Sequence, residues 1–281
     1  MTDPFVPATA ALYAPSVVQA LLERYQLRAD KRFGQNFLID ANILQHIVSA
    51  AQLEASDRVL EIGPGLGVLT RALAAEAAEV LSIELDTRLF PLLHDSLATC
   101  SNVSLQQGDA LEFDFDSLPS GTIMVANLPY NIATPLLMRA LESGRFQRLV
   151  VLIQKEVADR LIAKPQSAAY GLLTLLVGYF ARVERLRNVA PSAFYPAPDV
   201  TSSVVRLSPY PQVSPKPELF ALMRAGFAHR RKTLANNLRS AGYGAQLVET
   251  ALQKLELNPK VRAEALSLEQ FRSLTAQLHS P

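Results

Sequence analysis

Five short, apolar, β-rich segments recur through the first half of the chain with helix-patterned stretches between them, and this alternation limits the fold more than any other feature. The segments are RVLEIG (Arg58 to Gly63), EVLSIELD (Glu79 to Asp86), VSLQQGD (Val103 to Asp109), TIMVANLP (Thr122 to Pro129) and RLVVLIQ (Arg148 to Gln154). Helical periodicity falls at about 68–77, 87–98, 134–142 and 156–163. Strand and helix taking turns in this way make βαβ units, and therefore a parallel sheet inside a doubly wound α/β domain. Two later segments, Leu172 to Arg187 and Ser202 to Leu207, have strand-like composition and would add an antiparallel pair at the sheet edge; the first also fits a helix.

SPYPQVSPKP (Ser208 to Pro217) places four prolines in ten residues, which rules out regular helix or a central strand and marks a linker. Beyond it, apolar residues at roughly helical spacing run to Gly242, and Ser267-Leu268-Glu269-Gln270 has the form of a capping box opening a last helix. A small all-helical C-terminal domain is expected.

An apolar content of 49% over 281 residues can fill one large domain and a small one. No stretch approaches 18 uninterrupted apolar residues, and the N-terminus carries an early Asp3 and several prolines, so neither a membrane span nor a signal peptide is expected. The single cysteine, Cys100, excludes an intramolecular disulfide, and His46, His94, His229 and His279 lie too far apart for a local metal motif. A reducing cytoplasm and no metal fit this pattern best. The net charge of +1 conceals an asymmetry, because residues 1–205 hold 16 Lys/Arg against 21 Asp/Glu and residues 206–281 hold 11 against 5. A basic tail on an acidic body points to a polyanionic partner, although a solvated helical face gives the same count.

The first strand runs straight into Gly63, Gly65 and Gly67, where glycine permits a sharp turn and lets a ligand approach the backbone. The spacing is GxGxG, not the GxGxxG of dinucleotide turns that seat pyrophosphate at a helix N-terminus, and it favours a cofactor without phosphates. Taken alone, it also fits an ordinary tight strand-to-helix turn. The next strand ends at Glu84, where a carboxylate can accept from two ribose hydroxyls; the third ends at Asp109, placed to accept from an exocyclic adenine amine. A glycine turn, an acid and a second acid on successive strand ends suit S-adenosylmethionine, with a nicotinamide dinucleotide as the rival.

The fourth strand ends in NLPYNIATP (Asn127 to Pro135). An amine attached to a purine or a carboxamide is a poor nucleophile because its lone pair is delocalised. The Asn127 side-chain oxygen and the Leu128 carbonyl, held extended before Pro129, could accept its hydrogens, while Tyr130 stacks on the planar group. The same residues also fit a turn that merely ends a strand.

In order, KRFGQNFLID, EIGPGLG, IELD, GDAL, NLPYNIATP, QKEVADRL, PSAFYPAPDVTSSVVRL and RRKTLANNL resemble the KsgA family of small-subunit (16S) ribosomal RNA adenine N6,N6-dimethyltransferases, from about Lys31 to Leu238 and less specifically to the C-terminus. The resemblance implies a Rossmann-like class I methyltransferase domain over 31–207, preceded by an extension over 1–30 and followed by a linker over 208–217 and a helical RNA-binding domain over 218–281. It implies transfer of four methyl groups from S-adenosylmethionine, leaving S-adenosylhomocysteine, to N6 of two adjacent adenosines in a hairpin loop near the RNA 3′ end. Cofactor contacts then fall on Asn36, Leu38, Gly63, Gly65, Glu84, Asp109 and Asn127, and the target adenine stacks between Tyr130 and Phe194. Arg230, Arg231 and Lys232, with Lys155 and Arg160, become candidates for phosphate contact. Leu172 stands where many members have arginine, which puts any RNA contact by that cation in doubt. The expected partner is the immature small ribosomal subunit, met as a monomer. The nearest alternatives are a large-subunit adenine dimethyltransferase of the macrolide-resistance type and a non-catalytic assembly or transcription factor on the same fold.

Overall fold

The computed structural model describes residues 14–30 and 34–279. The elements in chain order are α1 (Pro15–Arg24), β1 (Phe37–Leu38), α2 (Ala41–Ala51), β2 (Arg58–Ile62), α3 (Val68–Ala74), β3 (Glu79–Glu84), α4 (Phe90–Ser96), β4 (Val103–Gln107), β5 (Thr122–Asn127), α5 (Ala133–Ser143), β6 (Phe146–Gln154), α6 (Lys155–Leu161), α7 (Leu172–Phe180), β7 (Ala181–Val189), β8 (Phe194–Tyr195), β9 (Ser202–Pro209), α8 (Pro217–Gly226), α9 (Leu234–Ser240), α10 (Ala245–Lys254) and α11 (Leu268–His279). No helix among the described residues is long and apolar enough to cross a membrane.

Seven strands form one sheet in the order β4-β3-β2-β5-β6-β9-β7, with a separate two-stranded pair, β1-β8. β4 through β6 pair in parallel, and β9 closes antiparallel on β6 from Leu149–Leu207 to Gln154–Ser202. Ile123 to Ala126 of β5 and Leu149 to Ile153 of β6 are unbroken apolar runs because both faces are covered, whereas β4, at the edge, buries none of its side chains fully. The strand order reverses between β2 and β5, so their carboxyl ends part into a crevice, the place where open α/β sheets hold ligands.

The chain forms two compact units, and their limits differ from those expected. One comprises the residues up to Ala158 together with Glu184–Pro209; the other comprises Asp159–Val183 and the residues from Tyr210 onward. The expected linker does mark the second crossing, but the stretch 159–183 leaves the α/β domain. The reason is α7: its sequence LLTLLVGYF is apolar nearly all round, and a helix of that kind must be enclosed by other helices. Tyr179 and Phe180 meet Phe220 edge-on at 5.1 and 5.6 Å, the Tyr179 hydroxyl donates to Ser214 O, and the Tyr170 hydroxyl donates to Leu266 O at 2.7 Å. The ambiguous segment 172–187 is both things in turn, helix to Phe180 and strand from Ala181.

Part of the supposed N-terminal extension is also core. α1 buries Val18, Leu21 and Leu22 in the sheet unit, and Tyr25 donates to Asp95 at 2.6 Å. The first thirteen residues lie outside the described residues, as do Lys31, Arg32 and Phe33 of the KRFGQNFLID motif. In the helical unit the expected capping box forms: Gln270 N donates to Ser267 Oγ at 3.2 Å, and Ser267 N donates to Gln270 Oε1 at 2.9 Å.

Candidate active site in the sheet unit

The crevice at the sheet's carboxyl edge is lined by residues from the 34–38 segment, the glycine turn, the ends of β3 and β4, and the stretch 127–132. Gly63, Gly65 and Gly67 all have φ between +58° and +80°, which side chains disfavour. A Cβ at Gly65 would sit 3.1 Å from the Phe37 ring, and one at Gly67 would sit 2.8 Å from Ser96 Oγ. Gly65 thus lets the Phe37 ring pack against the turn, while Gly67 lets α3 pack against α4.

Glu84 is buried at the end of β3, and its Oε1 accepts from Asp86 N at 2.8 Å. Burial pushes its carboxyl above the usual range. Beside it, burial alone would raise Asp86, but hydrogen bonds from Arg88 and Gln35 outweigh it and hold that carboxyl low. Gln35 therefore latches the 34–38 segment to the strand end that carries Glu84. Asp109 follows β4, and its Oδ1 accepts from Leu111 N at 2.8 Å in a tight turn.

One acid in the crevice escaped the sequence reading. Glu61 is 1% exposed, its Oε2 accepts from Thr70 Oγ1 at 2.6 Å and Ser82 Oγ at 2.7 Å, and its Oε1 has no partner among the described residues. Burial raises its carboxyl to about 7. The available signal was a charged residue inside the apolar strand RVLEI, where a side chain has no solvent to turn to.

The NLPY segment is pinned by hydrogen bonds to three other parts of the sheet unit. The Asn127 amide, which lines the crevice, donates through Nδ2 to Asn36 O at 3.0 Å; this fixes its orientation and leaves Oδ1 as its acceptor. Leu128 N donates to Leu152 O, and Ile132 N donates to Pro129 O to close the turn. The Tyr130 hydroxyl shares a 2.7 Å hydrogen bond with Ser202 Oγ, which tethers the ring to β9. Burial raises its phenol. Asn36 thus meets Asn127 through its backbone, its own side chain donating to Gly34 O.

Phe194 is a correction. It is 2% exposed within the sheet unit's core, paired across from Leu38, and does not line the crevice. The β1-β8 pairing turns this apolar ring away from water, so the second stacking face assigned by resemblance is not offered; its neighbour Tyr195 is half-buried.

The basic candidates are dispersed. Lys155 opens α6 in the sheet unit, while Arg160 belongs to the helical unit, is exposed, and accepts at its carbonyl from Thr174 Oγ1. Arg230, Arg231 and Lys232 are exposed in the turn between α8 and α9 rather than on a helix face. Arg230 is already engaged, with Glu264 at 3.3 Å and Ala168 O at 2.8 Å. Leu172 begins α7, half-buried. No group of three potential metal ligands occurs among the described residues.

A Rossmann-like sheet that gathers a glycine turn, two acids and the Asn127 amide at one carboxyl edge defines a class I methyltransferase domain. Solved structures agree: the chain is similar to a dimethyladenosine transferase from Plasmodium falciparum (30% identity, TM-score 0.76, 85% of this chain and 95% of that one) and to the 23S rRNA methyltransferase ErmE (26%, 0.69, 86% and 99%). The chain belongs to the ribosomal RNA adenine dimethylase family, whose model matches residues 26–279. Curated relatives named ribosomal RNA small subunit methyltransferase A include those of Deinococcus radiodurans (45% identity, 97% of this chain and 93% of the relative) and Streptococcus sanguinis (44%, 94% and 97%). Family and fold imply use of S-adenosylmethionine, and the crevice fits it: a glycine turn, apolar walls, and two acids at the strand ends.

Proposed function

We propose that the chain transfers methyl groups from S-adenosylmethionine to N6 of two adjacent adenosines in the 3′-terminal hairpin loop of small-subunit ribosomal RNA. The observation that carries this reading is the Asn127 amide, whose Nδ2 is occupied by Asn36 O so that Oδ1 is an acceptor at the crevice. The family's large-subunit branch uses the same fold, but the small-subunit relatives stand at 40–45% identity and ErmE at 26%.

When bound, the cofactor supplies an electrophilic methyl group on a sulfonium. Gly63 and Gly65 admit it to the backbone, Glu84 accepts from ribose hydroxyls, and Asp109 accepts from the adenine amine. Asn127 Oδ1 and the Leu128 carbonyl accept the two N6 hydrogens of the target base, localising its lone pair and directing it in line. Tyr130, anchored by Ser202, stacks on the extruded base. Attack makes N6 cationic and its proton acidic enough to leave unaided, so neutral Asn127 serves where a carboxylate base is not needed. Arg231 and Lys232 contact phosphates. The substrate is an immature small subunit, and a single copy of the chain suffices.

Incubation of purified protein with labelled S-adenosylmethionine and either unmethylated small subunits or naked RNA, followed by nucleoside mapping, tests this. N6,N6-dimethyladenosine at adjacent positions of the small-subunit RNA is expected. Its absence on both substrates overturns the reading, and its appearance only on large-subunit RNA transfers the chain to the other branch.

A further inference from the structure

Arg139 has no part in any motif, yet it joins two sides of the crevice. It projects from α5, which begins three residues after Tyr130. Its Nη2 donates to Phe113 O at 3.0 Å and its Nη1 donates to Ala110 O at 3.4 Å, so one planar guanidinium spans two carbonyls of the loop that follows Asp109. The guanidinium also lies 5.4 Å from the centre of the Phe115 ring, which is buried and meets Phe113 and Phe146 edge-on, each at 5.6 Å. Within that loop, Asp109 uses Oδ1 and its own carbonyl to accept from Leu111, Glu112 and Phe113, a tight turn whose Ala110 and Phe113 carbonyls accept from Arg139.

We infer that Arg139 is a positioning residue: by holding the Ala110 and Phe113 carbonyls from the helix launched by the catalytic segment, it fixes Asp109 against the NLPY segment and so sets selectivity for the adenine end of the cofactor. The inference rests on the reading of Asp109 as the acceptor of the adenine amine. A lysine could reach only one of the two carbonyls and stacks less well on the ring.

The test measures the affinity of the full chain for S-adenosylhomocysteine and for S-inosylhomocysteine, in which a carbonyl replaces the amine. Arg139→Met is expected to reduce the adenosyl preference roughly tenfold, the size of one displaced hydrogen bond. Turnover at saturating cofactor should change far less than the Michaelis constant. Arg139→Lys should fall between wild type and the methionine variant, and it carries the test if the methionine variant does not fold. A purely structural role would lower the unfolding temperature and leave the preference intact, and an unchanged preference in a folded variant overturns the inference. Asp109→Asn separates the two levels. If it leaves the preference unchanged, the reading of Asp109 fails and the inference with it; if it abolishes the preference while both Arg139 variants keep it, only the role of Arg139 fails.

Discussion

Among the described residues the two units carry nearly equal numbers of cations and very unequal numbers of acids: 12 Lys/Arg with 19 Asp/Glu in the sheet unit, and 13 with 6 in the helical unit. The difference lies as much in placement as in count. In the sheet unit three carboxyls are buried, Glu61 and Glu84 in the crevice lining and Asp86 next to Glu84, and their state is set by desolvation and a few short hydrogen bonds. In the helical unit, Arg230, Arg231 and Lys232 stand in an exposed turn. Buried carboxyls answer to pH and are little screened by salt; exposed cations that meet a polyanion answer to salt. Chemistry and RNA affinity should therefore separate under different solution variables.

Asn127→Ala should give the largest effect. Removing one of two pre-oriented acceptors is expected to lower turnover by about a hundredfold or more, by analogy with loss of a single oxyanion-type contact. RNA affinity and its salt slope should stay near wild type, measured by filter binding beside single-turnover methylation. Equal loss of both would erase the division between the units.

The Glu61 carboxyl sharpens the pH side. Its folded value, about 7, lies above the ordinary glutamate value of 4.5, so the unfolded chain ionises first and this group destabilises the fold increasingly as pH rises from about 4.5 to about 7, then no further. The shift corresponds to at most about 3 kcal/mol. Glu61→Gln can still accept from Thr70 and Ser82 and carries no proton equilibrium, so relative to wild type it should gain stability across that window. Denaturant unfolding at pH 4.5 and pH 8 measures it, and an equal difference at both values would show that Glu61 is not held neutral by the fold.

On the salt side, neutralising Arg230, Arg231 and Lys232 together should reduce the slope of log affinity against log salt by about 1.4, at roughly 0.7 for each of the two contacts of Arg231 and Lys232 on single strands, with Arg230 adding little because Glu264 already engages it. Cofactor affinity should not move. An unchanged slope would take phosphate contact away from this turn.

The sheet was legible because its signals are local and periodic: each of the five apolar segments became a strand, and Glu84 and Asp109 fell at strand ends. The residue types of NLPY were legible, but the orientation of the Asn127 amide depends on Asn36, 91 positions away, and no pattern encodes that distance. Phe194 was misplaced for a related reason. A motif names an aromatic ring but not the face it turns, and the β1-β8 pairing sends this one into the core. The stretch 159–183 looked like a continuation of the α/β pattern because composition says only that α7 is apolar; which unit encloses it is decided by Tyr170, Tyr179 and Phe220. Arg139 had no motif at all.

The smallest expected effect tests whether the helical unit depends on charge for its fold as well as for its partner. Its last helix opens on a neutral device, the reciprocal Ser267–Gln270 pair, in exposed surroundings where an ion pair would contribute little. Ser267→Ala leaves Gln270 N without its side-chain acceptor, while Gln270 can still accept from residue 267's backbone amide. About 1 kcal/mol is the usual cost of losing such a cap. Because no ionisable group takes part, the loss should be the same at low and high salt and at pH 6 and pH 8, with RNA affinity unchanged at temperatures well below unfolding. Thermal unfolding monitored by circular dichroism in those four conditions measures it. A loss that shrank with added salt would mean that the neighbouring charges, Glu269 and Arg272 at 3.5 Å, hold the helix end, and that charge in this unit supports the fold as well as the contact with RNA.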